Sequence, residues 1–225
     1  MSSSAPLEIV ERSTGDAPLA SVIVLHGLGA DGYDFVPICD QLELGAVGPV
    51  RFVFPHAPVR PVTINAGYRM RAWYDILGAD IDRREDEPGL RMSLGQLHGL
   101  IDGEVARGIA PRRIVLMGFS QGCAMTLLAG LRYRERLAGL AGLSGYLPLA
   151  ATTAAERHAA NAAVPVFLAH GSADPVIPIE RGHAGRDALQ ALGHEVEWHE
   201  YPMAHSVCAE EVADLNRWML QVLGG

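Results

Sequence analysis

The sequence predicts an α/β fold: a mostly parallel central sheet with helices on both faces and no large cap domain. Three observations carry this expectation. Short apolar runs rich in β-favouring residues alternate along the chain with longer runs of helical length. One such run, Ile114 to Met117, passes through Gly118-Phe119-Ser120-Gln121-Gly122 directly into a second apolar stretch that reaches Leu131 without a proline. The intervening segments Ala72 to Met92 and Gly145 to Ala163 are each only about twenty residues, which leaves no room for a large lid.

The elements follow in order. Leu7 to Glu11 is a short strand candidate, and Val22 to Leu25 reads as a buried parallel strand closed by His26-Gly27-Leu28-Gly29. Phe35 to Leu42 is a short helix, Arg51 to Phe54 the next strand, and Ser93 to Arg107 a helix that opens on a serine cap. After the strand and helix on either side of Ser120, Leu137 to Leu143 and Val164 to His170 read as strands. A helix over Ile179 to Leu192 is led by Pro178 and ended by Gly193, Val196 to Tyr201 alternates as a strand, and a last helix runs from about Cys208 to Leu220. Repeated strand-helix order of this kind builds a parallel sheet with helices on both faces.

Composition narrows the function. With 225 residues, 49% of them hydrophobic, and no shift in composition, residues 1–225 are expected to form a single domain. Twenty-six acidic against 18 basic residues give a formal charge of −8, which argues against nucleic acid or an anionic membrane as the main partner. Cys39, Cys123 and Cys208 are odd in number and far apart, and Met1 to Pro6 has no basic region followed by an apolar stretch. A cytoplasmic location is therefore expected. No apolar stretch approaches the roughly 20 residues that span a bilayer.

Gly-x-Ser-x-Gly at a strand-to-helix turn has a mechanical reading. The serine at such a turn is strained, and the flanking Gly118 and Gly122 must be small for strand and helix to approach. Ser120 is then a candidate nucleophile, and the backbone N–H of Gln121 a candidate oxyanion donor at the helix start. A nucleophilic serine needs a base and an acid later in the chain, at strand ends. His205 lies in the loop Pro202 to Ser206 between the last strand and the last helix, whereas His199, His183 and His194 fall within or beside regular elements. Asp174 comes just after the strand Val164 to His170, held in a loop by Pro175, while Asp187 and Asp214 fall on helices. Asp174 is assigned to fix the tautomer of His205. A second oxyanion donor is expected from the N–H of Leu28 in the glycine-rich loop after the strand Val22 to Leu25. Each such donor is worth roughly 3 kcal/mol in the transition state. His26 is read as structural, because no cluster with metal-ligand spacing surrounds it.

These residues sit in a pattern that resembles the phospholipase/carboxylesterase family, which includes acyl-protein thioesterases and small bacterial carboxylesterases. The matching pieces run along nearly the whole chain: Leu25-His26-Gly27-Leu28-Gly29, Pro55-His56-Ala57-Pro58, Trp73-Tyr74-Asp75, Gly118 to Gly122, Leu143-Ser144-Gly145-Tyr146-Leu147-Pro148, His170 to Val176, and Tyr201-Pro202-Met203-Ala204-His205. The resemblance implies an α/β-hydrolase fold, a serine hydrolase with the triad Ser120, Asp174 and His205 and oxyanion donors Leu28 and Gln121, and no metal or organic cofactor. Two positions depart from the pattern, Cys123 and Ala204, each where the family often has glycine. Neither removes a catalytic group, and Cys123 is expected to pack against the sheet as a small hydrophobe.

The expected substrate is a small-molecule carboxylic ester of short to medium acyl length or a thioester, with lysophospholipids and acylated proteins as the alternatives. Trp73 and Leu77, with Ile76 and Ile81, are candidates for an acyl groove ahead of the charged run Asp82 to Glu87, and Val176, Ile177 and Met203 are candidates from beside the triad. A simple surface loop is the competing reading for the Trp73 segment. The same triad could serve a peptidase, and the fold could serve a binding module without catalysis. The chain is expected to be a monomer or a homodimer.

Overall fold

A computed structural model of the chain describes residues 7–78 and 85–224. Seven strands form the main sheet: β1 (Ile9–Ser13), β2 (Ala20–Leu25), β3 (Val50–Pro55), β6 (Ile114–Phe119), β7 (Gly139–Leu143), β8 (Val166–Gly171) and β9 (Val196–Tyr201). Their order is β1-β3-β2-β6-β7-β8-β9, with β1 antiparallel to β3 and every other pairing parallel. A separate two-stranded hairpin joins β4 (Val59–Val62) to β5 (Tyr68–Arg71).

Every residue of β2, β7 and β8 is buried, as continuous apolar runs covered on both sides must be. Successive side chains point to opposite faces and split the core in two. Ile23, Leu25 and Leu116 pack beneath α2 (Glu87–Ala106), α3 (Gln121–Arg132) and α5 (Ile179–Ala191). Val22, Val24, Val115 and Met117 pack on the other face, beneath α1 (Val36–Cys39) and α6 (Ala209–Gly224). The short α4 (Ala150–Glu156) follows β7. Because the inner strands are parallel, their carboxyl ends share one edge. The loops that open there carry Leu28 after β2, Ser120 after β6, Asp174 after β8 and His205 after β9.

Several boundaries differ from the sequence expectation for identifiable reasons. α2 begins seven residues earlier than a cap at Ser93 implies. Asp86 caps it, accepting the Gly89 N–H at 3.0 Å, with Pro88 in the first turn. Ser93 is buried and donates instead to the Trp73 carbonyl. β8 begins at Val166 because Pro165 has no N–H to pair, and β7 begins after Leu137, whose N–H is taken at 2.9 Å by the Asn161 side chain. The β4–β5 hairpin and α4 carry no apolar periodicity, and their pairing was not expected. Ile81 and the charges from Asp82 to Arg84 lie outside the described residues.

One buried group on α6 makes the fold sensitive to pH. Glu211 is fully buried in the first turn, and neither carboxyl oxygen reaches a hydrogen-bond partner among the described residues. Burial pushes its carboxyl up to about 8. Between about 4.5 and 8 the folded state therefore holds a proton that the unfolded chain has released, so stability falls as pH rises through that window. Thermal unfolding across the window should show this decline in the parent chain and a shallower one in Glu211→Gln; parallel curves would mean that the carboxyl is solvated after all.

Candidate active site

Ser120 occupies the turn between β6 and α3 at φ 57° and ψ −116°, a conformation that L residues rarely adopt. Tertiary packing holds it there. Its N–H donates to Leu143 O of β7 at 2.8 Å. The two glycines of the elbow are required by contact. A Cβ on Gly118 would stand 2.3 Å from the Gly122 backbone, and one on Gly122 would stand 2.0 Å from Leu25 O. Strand and helix can cross so closely only with hydrogen at both positions.

The Gln121 amide belongs to the first turn of α3, where N–H groups have no intrahelical acceptor and the helix dipole favours negative charge. Among the described residues, the Leu28 N–H likewise has no backbone acceptor, while its neighbours do: Gly29 N–H donates to Arg71 O at 2.9 Å and Ala30 N–H to Gly27 O at 3.4 Å. Gly29 adopts φ 78°, which turns the loop after β2. His26 braces this loop from beneath. Its Nδ1–H donates to Gly27 O at 2.7 Å, its Nε2 accepts the Ala57 N–H at 3.0 Å, and burial brings its pKa down to about 4. A neutral ring in a fixed tautomer suits the structural role expected of it.

Asp174 and His205 meet across the loops that follow β8 and β9. The Nδ1–H of His205 donates to Asp174 Oδ2 at 2.6 Å. The second oxygen, Oδ1, accepts the N–H groups of Val176 at 2.8 Å and Ile177 at 2.9 Å, so the aspartate both shapes its own turn and orients the imidazole. Buried His170 stands behind it, with Nε2 3.5 Å from Asp174 Oδ2 and donating to Ile177 O at 2.8 Å. The Phe119 ring, adjacent to Ser120 in the chain, lies against His205 at 4.6 Å between centroids.

A groove of about 420 Å³ opens at this edge and is lined by Leu28, Ser120 and Gln121. Its apolar walls come from Ile64, Tyr74, Ile76, Tyr146, Val176 and Ile177. Of the wall candidates from the sequence, Ile76, Val176 and Ile177 line it, and Trp73, Leu77 and Met203 do not. Trp73 is wholly buried: its indole N–H donates to His26 O at 2.9 Å, and its backbone N–H to Gln121 Oε1 at 2.8 Å. It is a post between the loop after β2 and the elbow, not a groove wall or a surface patch. Leu77 is exposed, and Met203 packs against the core face beneath α1 and α6. Sequence reasoning missed a second function of Gln121, whose amide Nε2–H also donates to Tyr74 O at 2.8 Å, so one side chain brackets two consecutive residues of the groove segment. The polar residue after the serine was the only available signal.

Cys123 is buried against Gly142 and Gly145, and burial pushes its thiol up to about 12, which leaves it inert. Among the described residues, no group of three or more histidine, cysteine or carboxylate side chains could hold a metal ion. No helix among them is long and apolar enough to cross a membrane.

Comparison with known proteins fits this geometry. Residues 7–223 match the phospholipase/carboxylesterase family profile. The chain belongs to that family. It is 41% identical over 213 residues to acyl-protein thioesterase 1 of Gibberella zeae, covering 91% of each chain. To the protein of the same name from Schizosaccharomyces pombe it is 42% identical over 214 residues, covering 92% of this chain and 93% of that one. Among solved structures, Zea mays acyl-protein thioesterase 2 superposes with a TM-score of 0.86 at 29% identity, over 98% of this chain and 100% of that one. Arabidopsis thaliana SOBER1 gives the same score at 30% identity, over 91% and 99%. This family member has the α/β-hydrolase fold and is a serine hydrolase, with no large cap domain among the described residues.

Proposed function

We propose that this protein hydrolyses carboxylic esters and thioesters of short to medium acyl length through an acyl-enzyme on Ser120, with His205 as general base and Asp174 as its orienting acid. The observation that carries the reading is the Asp174–His205 pair at 2.6 Å, at the same sheet edge as a strained serine that lines an apolar groove. His205 takes the proton from Ser120 Oγ, which attacks the acyl carbon. The oxyanion sits against the Leu28 and Gln121 N–H groups, and the imidazolium protonates the departing alcohol or thiol. Water, activated by the same imidazole, then releases the acid.

The names of the curated relatives favour a thioester on a protein as the natural substrate, because each of those quoted is an acyl-protein thioesterase. A groove that opens to solvent beside Ser120 is compatible with that, since a bulky leaving group can remain outside. A matched series of oxygen esters, thioesters and an S-acylated peptide tests both readings. Turnover of the esters and thioesters, with the S-acyl peptide preferred, is expected. Faster cleavage of unmodified peptides than of any ester would replace this reading with a peptidase.

A further inference from the structure

The groove beside Ser120 shares part of its lining with a second groove. Tyr146 and Pro178 line both spaces: the 420 Å³ groove that holds Ser120, and one of about 360 Å³ lined also by Leu147, Ala150, Arg181 and Ala184. Tyr146 is only 7% exposed, and both its hydroxyl and its ring face are engaged. Its hydroxyl shares a 2.8 Å hydrogen bond with that of Tyr74, and the Arg181 guanidinium lies over its ring 3.7 Å from the centroid. Arg181 is on the first turn of α5 and lines only the rear groove. Glu85, whose carboxylate accepts the Leu149 N–H at 3.0 Å, adds a negative charge within electrostatic reach of Arg181.

We propose that Tyr146, clamped by Arg181, is the partition that sets the acyl-length limit, and that the rear groove is a distal subsite for an aliphatic chain that opens when the clamp is released. The inference rests on the ester and thioester reading above. A chain advancing from Ser120 between Tyr74, Ile76 and Ile177 meets the Tyr146 ring, which cannot swing aside while its hydroxyl and its face are both engaged. The space behind is largely apolar, with Arg181 and Glu180 supplying its charge, so it suits methylene groups and not a polar head.

The test measures kcat/KM for hexanoyl and dodecanoyl p-nitrophenyl esters, below their micelle concentrations, in the parent chain, Arg181→Ala and Tyr146→Ala. The dodecanoyl-to-hexanoyl ratio should rise about tenfold in Arg181→Ala, the gain from burying two further methylene groups, and at least as much in Tyr146→Ala. Circular dichroism checks that both variants are folded, and Arg181→Ala, which removes no core side chain, decides the matter if Tyr146→Ala is not. An unchanged ratio in folded Arg181→Ala that still hydrolyses the hexanoyl ester overturns the partition and leaves the hydrolase reading standing. Absence of hydrolysis at every length in the parent chain overturns both.

Discussion

Ser120→Ala is expected to lose turnover by a factor on the order of 10⁶, the scale of nucleophile removal in serine proteases, while keeping its fold and most of its affinity for product-like ligands. The substitution deletes one hydroxyl at the mouth of the groove. The anchors of the elbow are backbone and glycine contacts, namely the Ser120 N–H to Leu143 O bond and the close approach of Gly122 to Leu25, and alanine preserves them all. The residual rate reports the Leu28 and Gln121 donors acting on a water attack. Steady-state kinetics with a thermal melt and an organophosphonate label checks this: the parent chain should label and the variant should not. Retention of most activity in folded Ser120→Ala would remove the serine from the mechanism.

Asp174→Asn should cost on the order of 10⁴ in kcat with little change in the fold. The two oxygens of Asp174 have separate duties. The one that accepts the Val176 and Ile177 N–H groups is replaced faithfully by an amide oxygen, so the turn after β8 survives. The one that accepts His205 Nδ1–H at 2.6 Å becomes an NH₂ group, which favours the wrong imidazole tautomer and no longer stabilises the imidazolium. His170 cannot substitute, because its Nε2–H is committed to Ile177 O. A pH–rate profile alongside kcat separates this role from a structural one. A loss of less than about tenfold would place Asp174 in the loop architecture alone.

The parts of the site legible in the sequence were those set by chain order and local stereochemistry. Gly118, Ser120 and Gly122 announce a strained junction by residue type. Asp174 and His205 announce themselves by following strands whose boundaries periodicity defines well; β9 has the expected limits, Val196 to Tyr201. Parallel topology then places all such strand ends on one edge. Helix limits were less legible where two caps competed, as with Asp86 and Ser93. The β4–β5 hairpin was invisible because Arg60, Pro61 and Arg69 interrupt its pattern and no buried face imposes one.

What the sequence determined by itself was an alternating α/β chain, a serine on a forced turn, and candidate partners for that serine at later strand ends. What only the tertiary structure decided was which apolar residues line the groove beside Ser120. Trp73 looked like a groove wall, and its hydrogen bonds to His26 O and Gln121 Oε1 make it an internal post. Tyr146, unremarked within its motif, became the wall because Tyr74 and Arg181 converge on it from distant segments. The reason is physical. Backbone strain and strand periodicity are local properties written into neighbouring residues, whereas the exposure of a side chain depends on what the rest of the fold packs around it.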